Sequence, residues 1–266
     1  MSFQVLIRHG SSLPRLLARR VIAWLQAADK LVFPWTCVVC DDSNLELTSP
    51  FCPSCRAGWF EAAAELESAS CPRCARPVGP FARLDRGCSA CRGRPLGFDT
   101  ALALGLYEGV LRELCLRIKC QRDGWLALHL GQLLAEGRRN ALARLPDDTW
   151  VVPVPLHWRR RLQRGYNQSG AIAEGLARSL GFPIREVLRR VKVTEILASM
   201  GPTERARCLQ GAFQVRRRAR LAGRSIVLVD DVMTTGATAA TAARVLKQAG
   251  ASQVTVAVLA RTAGIG

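Results

Sequence analysis

No apolar run in the chain is long enough to cross a bilayer as a helix: the longest, such as Val254 to Ala260, have the length of a strand, whereas a span needs about 20 apolar residues. No transmembrane segment is therefore predicted. The apolar core and cleavage site of a secretory signal are missing as well, which assigns the chain to the cytoplasm and its thiols to a reducing environment. Histidine is scarce, with three in 266 residues, and a lone histidine is more often structural than catalytic. Acidic residues are outnumbered, 21 against 38 lysines and arginines. The formal charge of +17 is carried mostly by arginine, whose planar, permanently ionised head grips phosphate oxygens in pairs. Polyanionic partners are expected from it; a merely solvated basic surface is the alternative.

The length suits one full domain plus a small module. Residues 1–36 form an N-terminal segment. Within it Leu16, Leu17, Val21, Ile22 and Leu25 share one helical face, with Arg15, Arg19 and Arg20 elsewhere. This is read as a start-site extension or a helix docked on its own protein; a peripheral helix lying on a membrane is the alternative.

Eight of the eleven cysteines form four C-x-x-C turns: Cys37/Cys40, Cys52/Cys55, Cys71/Cys74 and Cys88/Cys91. Such a turn aims two thiolates at one tetrahedral ion, and two turns close a four-sulfur site that holds zinc with no open catalytic position. Sequential pairing is favoured, with Cys37, Cys40, Cys52 and Cys55 on one ion and Cys71, Cys74, Cys88 and Cys91 on the other. An interleaved pairing stays open, and disulfides are the rival chemistry in an oxidising compartment. The segment 37–98 has few large apolar residues and many Pro and Gly, so bound Zn2+ is expected to supply folding free energy that a core cannot. Cys115, Cys120 and Cys208 remain and are read as small buried hydrophobes.

From Asp99 strand-like and helix-like runs alternate, which predicts an α/β domain over 99–266: a parallel sheet with flanking helices. Helices are expected at 125–136 and 169–180, strands at 150–156 and 225–230. The run Ile226-Val227-Leu228-Val229 meets Asp230-Asp231, then Val232-Met233-Thr234-Thr235-Gly236-Ala237-Thr238, then an alanine-rich helix. A Thr and Gly loop at a helix N-terminus offers N–H groups, hydroxyls and a positive dipole end to a phosphate. The two carboxylates would repel that phosphate unless the ligand also carries donors, such as sugar hydroxyls, or a metal ion. A ribose 5-phosphate meets both requirements.

The stretch from Val229 to Thr238 resembles the binding signature for phosphoribosyl pyrophosphate (PRPP) of type I phosphoribosyltransferases. The resemblance implies that Asp230 and Asp231 hold the ribose hydroxyls and that Thr234 to Thr238 wrap the 5-phosphate. Upstream, Val152-Pro153-Val154-Pro155 leads into a loop that carries Arg159, Arg160, Arg161 and Arg164 and ends in Gly165-Tyr166-Asn167-Gln168. The crowded arginines suit a pyrophosphate; a solvated basic loop is the bland alternative. Together with the C-x-x-C turns and Tyr107-Glu108-Gly109, this stretch resembles the ComF family and its relative GntX, a double zinc ribbon followed by a phosphoribosyltransferase domain.

The resemblance implies PRPP with Mg2+ as ligand, a role in DNA uptake or processing during natural transformation, and a competence helicase as a partner. The basic surface, with Trp158 and Tyr166 for stacking, is expected to hold single-stranded DNA. Departures from the family pattern put turnover in doubt: Thr194 stands, but Leu197 and Cys208 replace a glutamine and an asparagine in the segment 189–213. By the same resemblance Thr234 occupies the place of the general-base aspartate of hypoxanthine-guanine enzymes, which disfavours purine salvage. A PRPP-responsive regulator without turnover is the alternative. The zinc and ligand sites, built from separate segments, are expected to be independent.

Overall fold

The computed structural model describes residues 36–43, 49–120, 123–192, 208–217 and 219–263; the amphipathic reading of residues 13–33, and Thr194 and Leu197, fall outside them. The chain divides into two compact units, Met1–Cys52 and Pro53–Gly266. In the first, the Asp41 N–H donates to the Cys37 carbonyl at 2.9 Å and the Cys37 N–H to the Asp42 carbonyl at 2.8 Å. Asp41 closes this turn with a φ of 58°, a left-handed conformation that Asp tolerates better than most residues.

The second unit opens with α1 (Pro53–Ser68) and two further C-x-x-C turns. The sheet domain then runs β1 (Thr100–Leu106), α2 (Gly109–Arg117), α3 (Gly124–Gly137), α4 (Arg139–Leu142), β2 (Trp150–Pro153), α5 (Trp158–Arg164), α6 (Gln168–Leu180), β3 (Leu188–Arg190), β4 (Phe213–Val215), β5 (Ser225–Met233), α7 (Ala237–Gln248) and β6 (Gln253–Arg261). Four strands form one sheet in the order β1-β6-β5-β2, with every pair parallel. β3 and β4 make a separate antiparallel pair. The α/β class and the parallel sheet with flanking helices are as the sequence predicts.

The two central strands are aliphatic runs buried almost end to end, as strands covered on both faces must be. Ile226, Leu228, Val254, Val256 and Val258 share one core layer with Ala239, Ala242, Ala243 and Leu246 of α7 and with Leu188 and Phe213 of the β3–β4 pair. Strand alternation turns Val227 and Val229 to the opposite face. At the crossing of α3 and α6 the backbones nearly touch: a Cβ on Gly131 would lie 2.1 Å from the Ile172 carbonyl oxygen, and one on Gly175 would lie 1.9 Å from that of Leu128. This crossing fixes α6, whose first turn serves the site.

Two strand ends differ from the sequence reading. β5 does not stop at Asp230: its ladder to β6 continues through Val232↔Ala260 and Met233↔Arg261. Ladder bonds are backbone bonds, so acidic side chains that face a cavity do not end a strand. β2 is shorter than expected, because Pro153 and Pro155 offer no N–H, although the Val154 N–H still reaches the Val229 carbonyl at 2.9 Å. The C-terminal ends of the strands, where open α/β sheets bind ligands, thus bring together Leu106, Pro153, Met233 and Arg261.

Candidate functional site

At this edge the acidic pair is held by the start of α6. The Ser169 hydroxyl donates to Asp230 Oδ1 at 2.9 Å, and the Gln168 amide to Asp231 Oδ2 at 3.4 Å. Each carboxylate also accepts the next N–H along the chain, Asp231 N–H to Asp230 Oδ1 at 3.0 Å and Val232 N–H to Asp231 Oδ1 at 2.8 Å. Lys119, just beyond α2, brings its ammonium to 3.7 Å from Asp231 Oδ2. Burial first, and then the charge of Asp231, push Asp230 up to about 7 against the donors that favour its ionised form. Asp230 therefore changes charge in the neutral range.

A cavity of about 400 Å³ opens over the pair, and every residue from Asp230 to Thr238 lines it, together with Tyr107, Lys119 and Leu209. Gly236 turns the loop into α7 with a φ of 78°, a left-handed conformation that other side chains adopt only at a cost. No side chain caps α7 at that residue. The Thr235 hydroxyl instead accepts the Ala237 N–H at 3.3 Å. The start of α7 thus presents backbone donors and the positive end of a helix dipole beside Thr234, Thr235 and Thr238, a site suited to an anion.

Arg159, Arg160, Arg161 and Arg164 stand on α5, a helix with no buried residue, and none of them lines this cavity. Arg161 lines a second cavity of about 170 Å³, shared with Trp158, Asn167, Arg189, Arg190 and Arg216. The charge of Arg190, which lines this second cavity, interacts with both Asp230 and Arg160. Buried His157 is a cap, accepting the Arg159 N–H at 3.3 Å. Burial, then Arg190, Arg159 and Arg160, hold it below its ordinary pKa. Trp158 is 58% exposed, with the Arg159 guanidinium 5.3 Å from its ring centre. Tyr166, also expected to stack bases, is anchored at its hydroxyl, which donates to the Ile118 carbonyl, and its ring packs over Gly124.

The cysteines gather in two groups, Cys37, Cys40, Cys52 and Cys55, and Cys71, Cys74, Cys88 and Cys91, with all sulfurs of a group within 4.8 Å of one another. A tetrahedron with metal–sulfur bonds of about 2.3 Å has edges of about 3.8 Å. The separations are 3.6 Å for Cys40–Cys52 and Cys74–Cys88, 3.7 Å for Cys71–Cys91 and 3.8 Å for Cys88–Cys91, so the donors fit zinc. Backbone N–H groups of Cys52 and Cys88 point at Cys37 and Cys71 Sγ, both at 3.4 Å. Burial raises Cys37 and Cys71, but these and neighbouring donors outweigh it and leave each at about 7. Cys74 and Cys91 are pushed up, by burial foremost and with thiolate neighbours adding to it; a dication relieves that repulsion. Of the remaining cysteines only Cys115 is the buried hydrophobe expected. Cys120 is exposed and Cys208 half-buried, Cys120 because it lies in the turn past the end of α2.

Lys119, Ser169, Arg190 and Arg261 were not singled out by sequence reasoning. Arg261 is 2% exposed and donates to the carbonyls of Met233 at 2.7 Å and Cys74 at 3.0 Å.

The family model for a phosphoribosyl transferase domain matches residues 168–264, which includes the start of α6 and the whole acidic loop. The chain is 34% identical to DNA utilization protein YhgH of Salmonella typhi over 72% of its own length and 84% of the relative's. Competence protein F of Haemophilus influenzae is 27% identical over 86% of this chain and 98% of its own. Competence protein ComFC of Bacillus subtilis is 29% identical over 75% and 78%. With relatives that run nearly end to end, two four-cysteine groups of zinc-ribbon geometry and a phosphoribosyl transferase domain, the chain belongs to the ComF/GntX family.

Proposed function

We propose that this protein binds PRPP with Mg2+ in the cavity at the end of β5 and acts in the cytoplasm in DNA uptake or processing during natural transformation. One observation carries the ligand: adjacent carboxylates and a threonine-glycine turn line a single cavity at the start of α7. Asp230 and Asp231 accept from the ribose hydroxyls, while the loop N–H groups and the hydroxyls of Thr234, Thr235 and Thr238 donate to the 5-phosphate. Lys119 keeps the acidic pair from repelling the anion. Mg2+ offsets the charge of the pyrophosphate, and Asp230 and Asp231 are, among the described residues, the acidic side chains of the cavity that a dication would meet.

If a nucleophile attacks the anomeric carbon, its new bond forms as the bond to pyrophosphate breaks. Charge separates in that step, and fixed donors stabilise it without reorganisation. The arginines of α5 would have to approach the leaving group, since none of them lines the cavity in this structure. That separation favours a second reading, a PRPP-responsive binding protein without turnover. The exposed Trp158 beside Arg161, Arg189 and Arg216 suits single-stranded DNA, with phosphates on guanidinium groups and a base on the indole.

Zinc-loaded protein given PRPP, Mg2+ and a panel of bases separates the readings. Base-dependent pyrophosphate release supports the transferase. Single-strand DNA affinity that changes with PRPP, without pyrophosphate, supports the regulator, and the absence of both responses counts against each.

A further inference from the structure

Arg261 ends the central strand β6, in register with Met233 on one side and Leu106 on the other. Its side chain is almost wholly buried, and a buried cation is costly unless its donors and its charge are both answered. The donors on Nε and Nη1 are answered by backbone. Nε donates to the Cys74 carbonyl at 3.0 Å, and Nη1 to the carbonyls of Met233 at 2.7 Å, of Thr234, and of Thr262 at 3.2 Å. Thr262 adds its own N–H to the Met233 carbonyl at 3.2 Å. The charge is a different matter, because no carboxylate pairs with Arg261 among the described residues. Its charge is felt by the sulfurs of Cys74 and Cys88 and opposed by Arg76, and these sulfurs are thiolates only when they hold a metal. One Zn2+ on four thiolates carries a net charge of −2, so the metal-loaded cluster supplies the missing countercharge.

The consequence for the loop follows from peptide geometry. In a trans peptide the C=O and the next N–H point in opposite directions. With the Met233 and Thr234 carbonyls turned to Arg261, the N–H groups of Thr234 and Thr235 point away from it. Arg261 also holds the cavity wall through its main chain, where its carbonyl accepts the Tyr107 N–H at 2.9 Å.

We propose that Arg261 is a positioning residue that makes anion binding by the 234–238 loop depend on metal in the Cys71/Cys74/Cys88/Cys91 cluster. The ligand half rests on the PRPP reading; the mechanical half does not. The first cysteine group has no part in the proposed coupling, which would join by one arginine two sites expected to be independent.

The test uses full-length zinc-loaded protein and needs no ligand in its first arm. Amide hydrogen exchange over 233–238 is compared in wild type, Arg261→Gln, Arg261→Lys, Cys91→Ser and Cys40→Ser, with bound zinc and far-UV circular dichroism measured on each. Losing charge-assisted bonds to two loop carbonyls speeds exchange by about tenfold or more in Arg261→Gln and Cys91→Ser. Arg261→Lys, which keeps the charge and fewer donors, lies between, and Cys40→Ser matches wild type although it disturbs its own metal site. In the second arm PRPP with Mg2+ is titrated calorimetrically, and its affinity falls in the same order. If wild type binds no PRPP but the exchange pattern holds, the ligand assignment fails and the coupling stands. Unchanged loop exchange in folded Arg261→Gln or Cys91→Ser, or equal acceleration in Cys40→Ser, overturns the coupling.

Discussion

Asp230 gives the account its most specific quantitative consequence. Its carboxyl is held at about 7 by burial and by Asp231, against an ordinary value of about 3.9. Ribose hydroxyls donate better to a carboxylate than to a carboxylic acid, so the ionised form binds and binding draws the pKa down. The ionised fraction falls from about 0.9 at pH 8 to about 0.1 at pH 6, and PRPP affinity contributed by this group falls about tenfold with it. The sign for stability is opposite. A carboxyl whose folded pKa is raised holds more protons folded than unfolded between pH 4 and pH 7, so stability drops as pH rises through that window. Asp230→Asn removes both effects: it flattens the affinity profile and raises the melting temperature at pH 8. Calorimetry at pH 7 in buffers of low and high ionisation enthalpy reads the proton released on binding, and subtracting the Asp230→Asn profile removes the ligand's own phosphate titration. The reasoning is refuted if wild type and Asp230→Asn show the same slope between pH 6 and pH 8, or if Asp230→Asn melts lower at pH 8.

Four further outcomes are expected. Asp230→Asn with Asp231→Asn eliminates PRPP binding while zinc content stays at the wild-type level by metal analysis, because neither carboxylate touches a cysteine turn. Gly175→Ala drives a methyl into the Leu128 carbonyl 1.9 Å away; since backbone on both helices must shift, it destabilises by about 3 kcal/mol, the upper end for overpacking, in chemical denaturation. Replacing Arg161, Arg189 and Arg216 by alanine weakens single-strand DNA binding and lowers the slope of log affinity against log salt by about 2, some 0.7 per lost phosphate contact. Trp158→Ala weakens it without changing that slope.

The part of the site legible in the sequence is the part that is contiguous. Strand, acidic pair, hydroxyl-rich loop and helix lie within residues 225–248, and strand and helix periodicity with turn chemistry suffices to read them. Cysteine spacing foretold the two four-cysteine groups, whose geometry fits zinc, for the same reason. What was missed comes from elsewhere along the chain. Lys119 reaches Asp231 from beyond α2, Ser169 reaches Asp230 from α6, and Arg261 arrives through the parallel register of β6; no local pattern encodes such pairings. Arginine density is legible in the sequence, but its placement is not. Four arginines between 159 and 164 look like a phosphate site, but density carries no direction, and α5 ends in left-handed Gly165 with its arginines outside the main cavity. Nothing near Tyr166 in sequence marks the Ile118 carbonyl that holds its hydroxyl.

The central claim is that the end of β5 grips a sugar and its phosphate together. Isothermal titration of folded, zinc-loaded protein with PRPP and Mg2+ tests it most directly, with ribose 5-phosphate and inorganic pyrophosphate as partial ligands. A saturable heat with PRPP, weaker with either fragment and lost in the Asp230→Asn, Asp231→Asn double variant, is predicted. Absence of any heat with PRPP, or binding that survives in the double variant, contradicts the account.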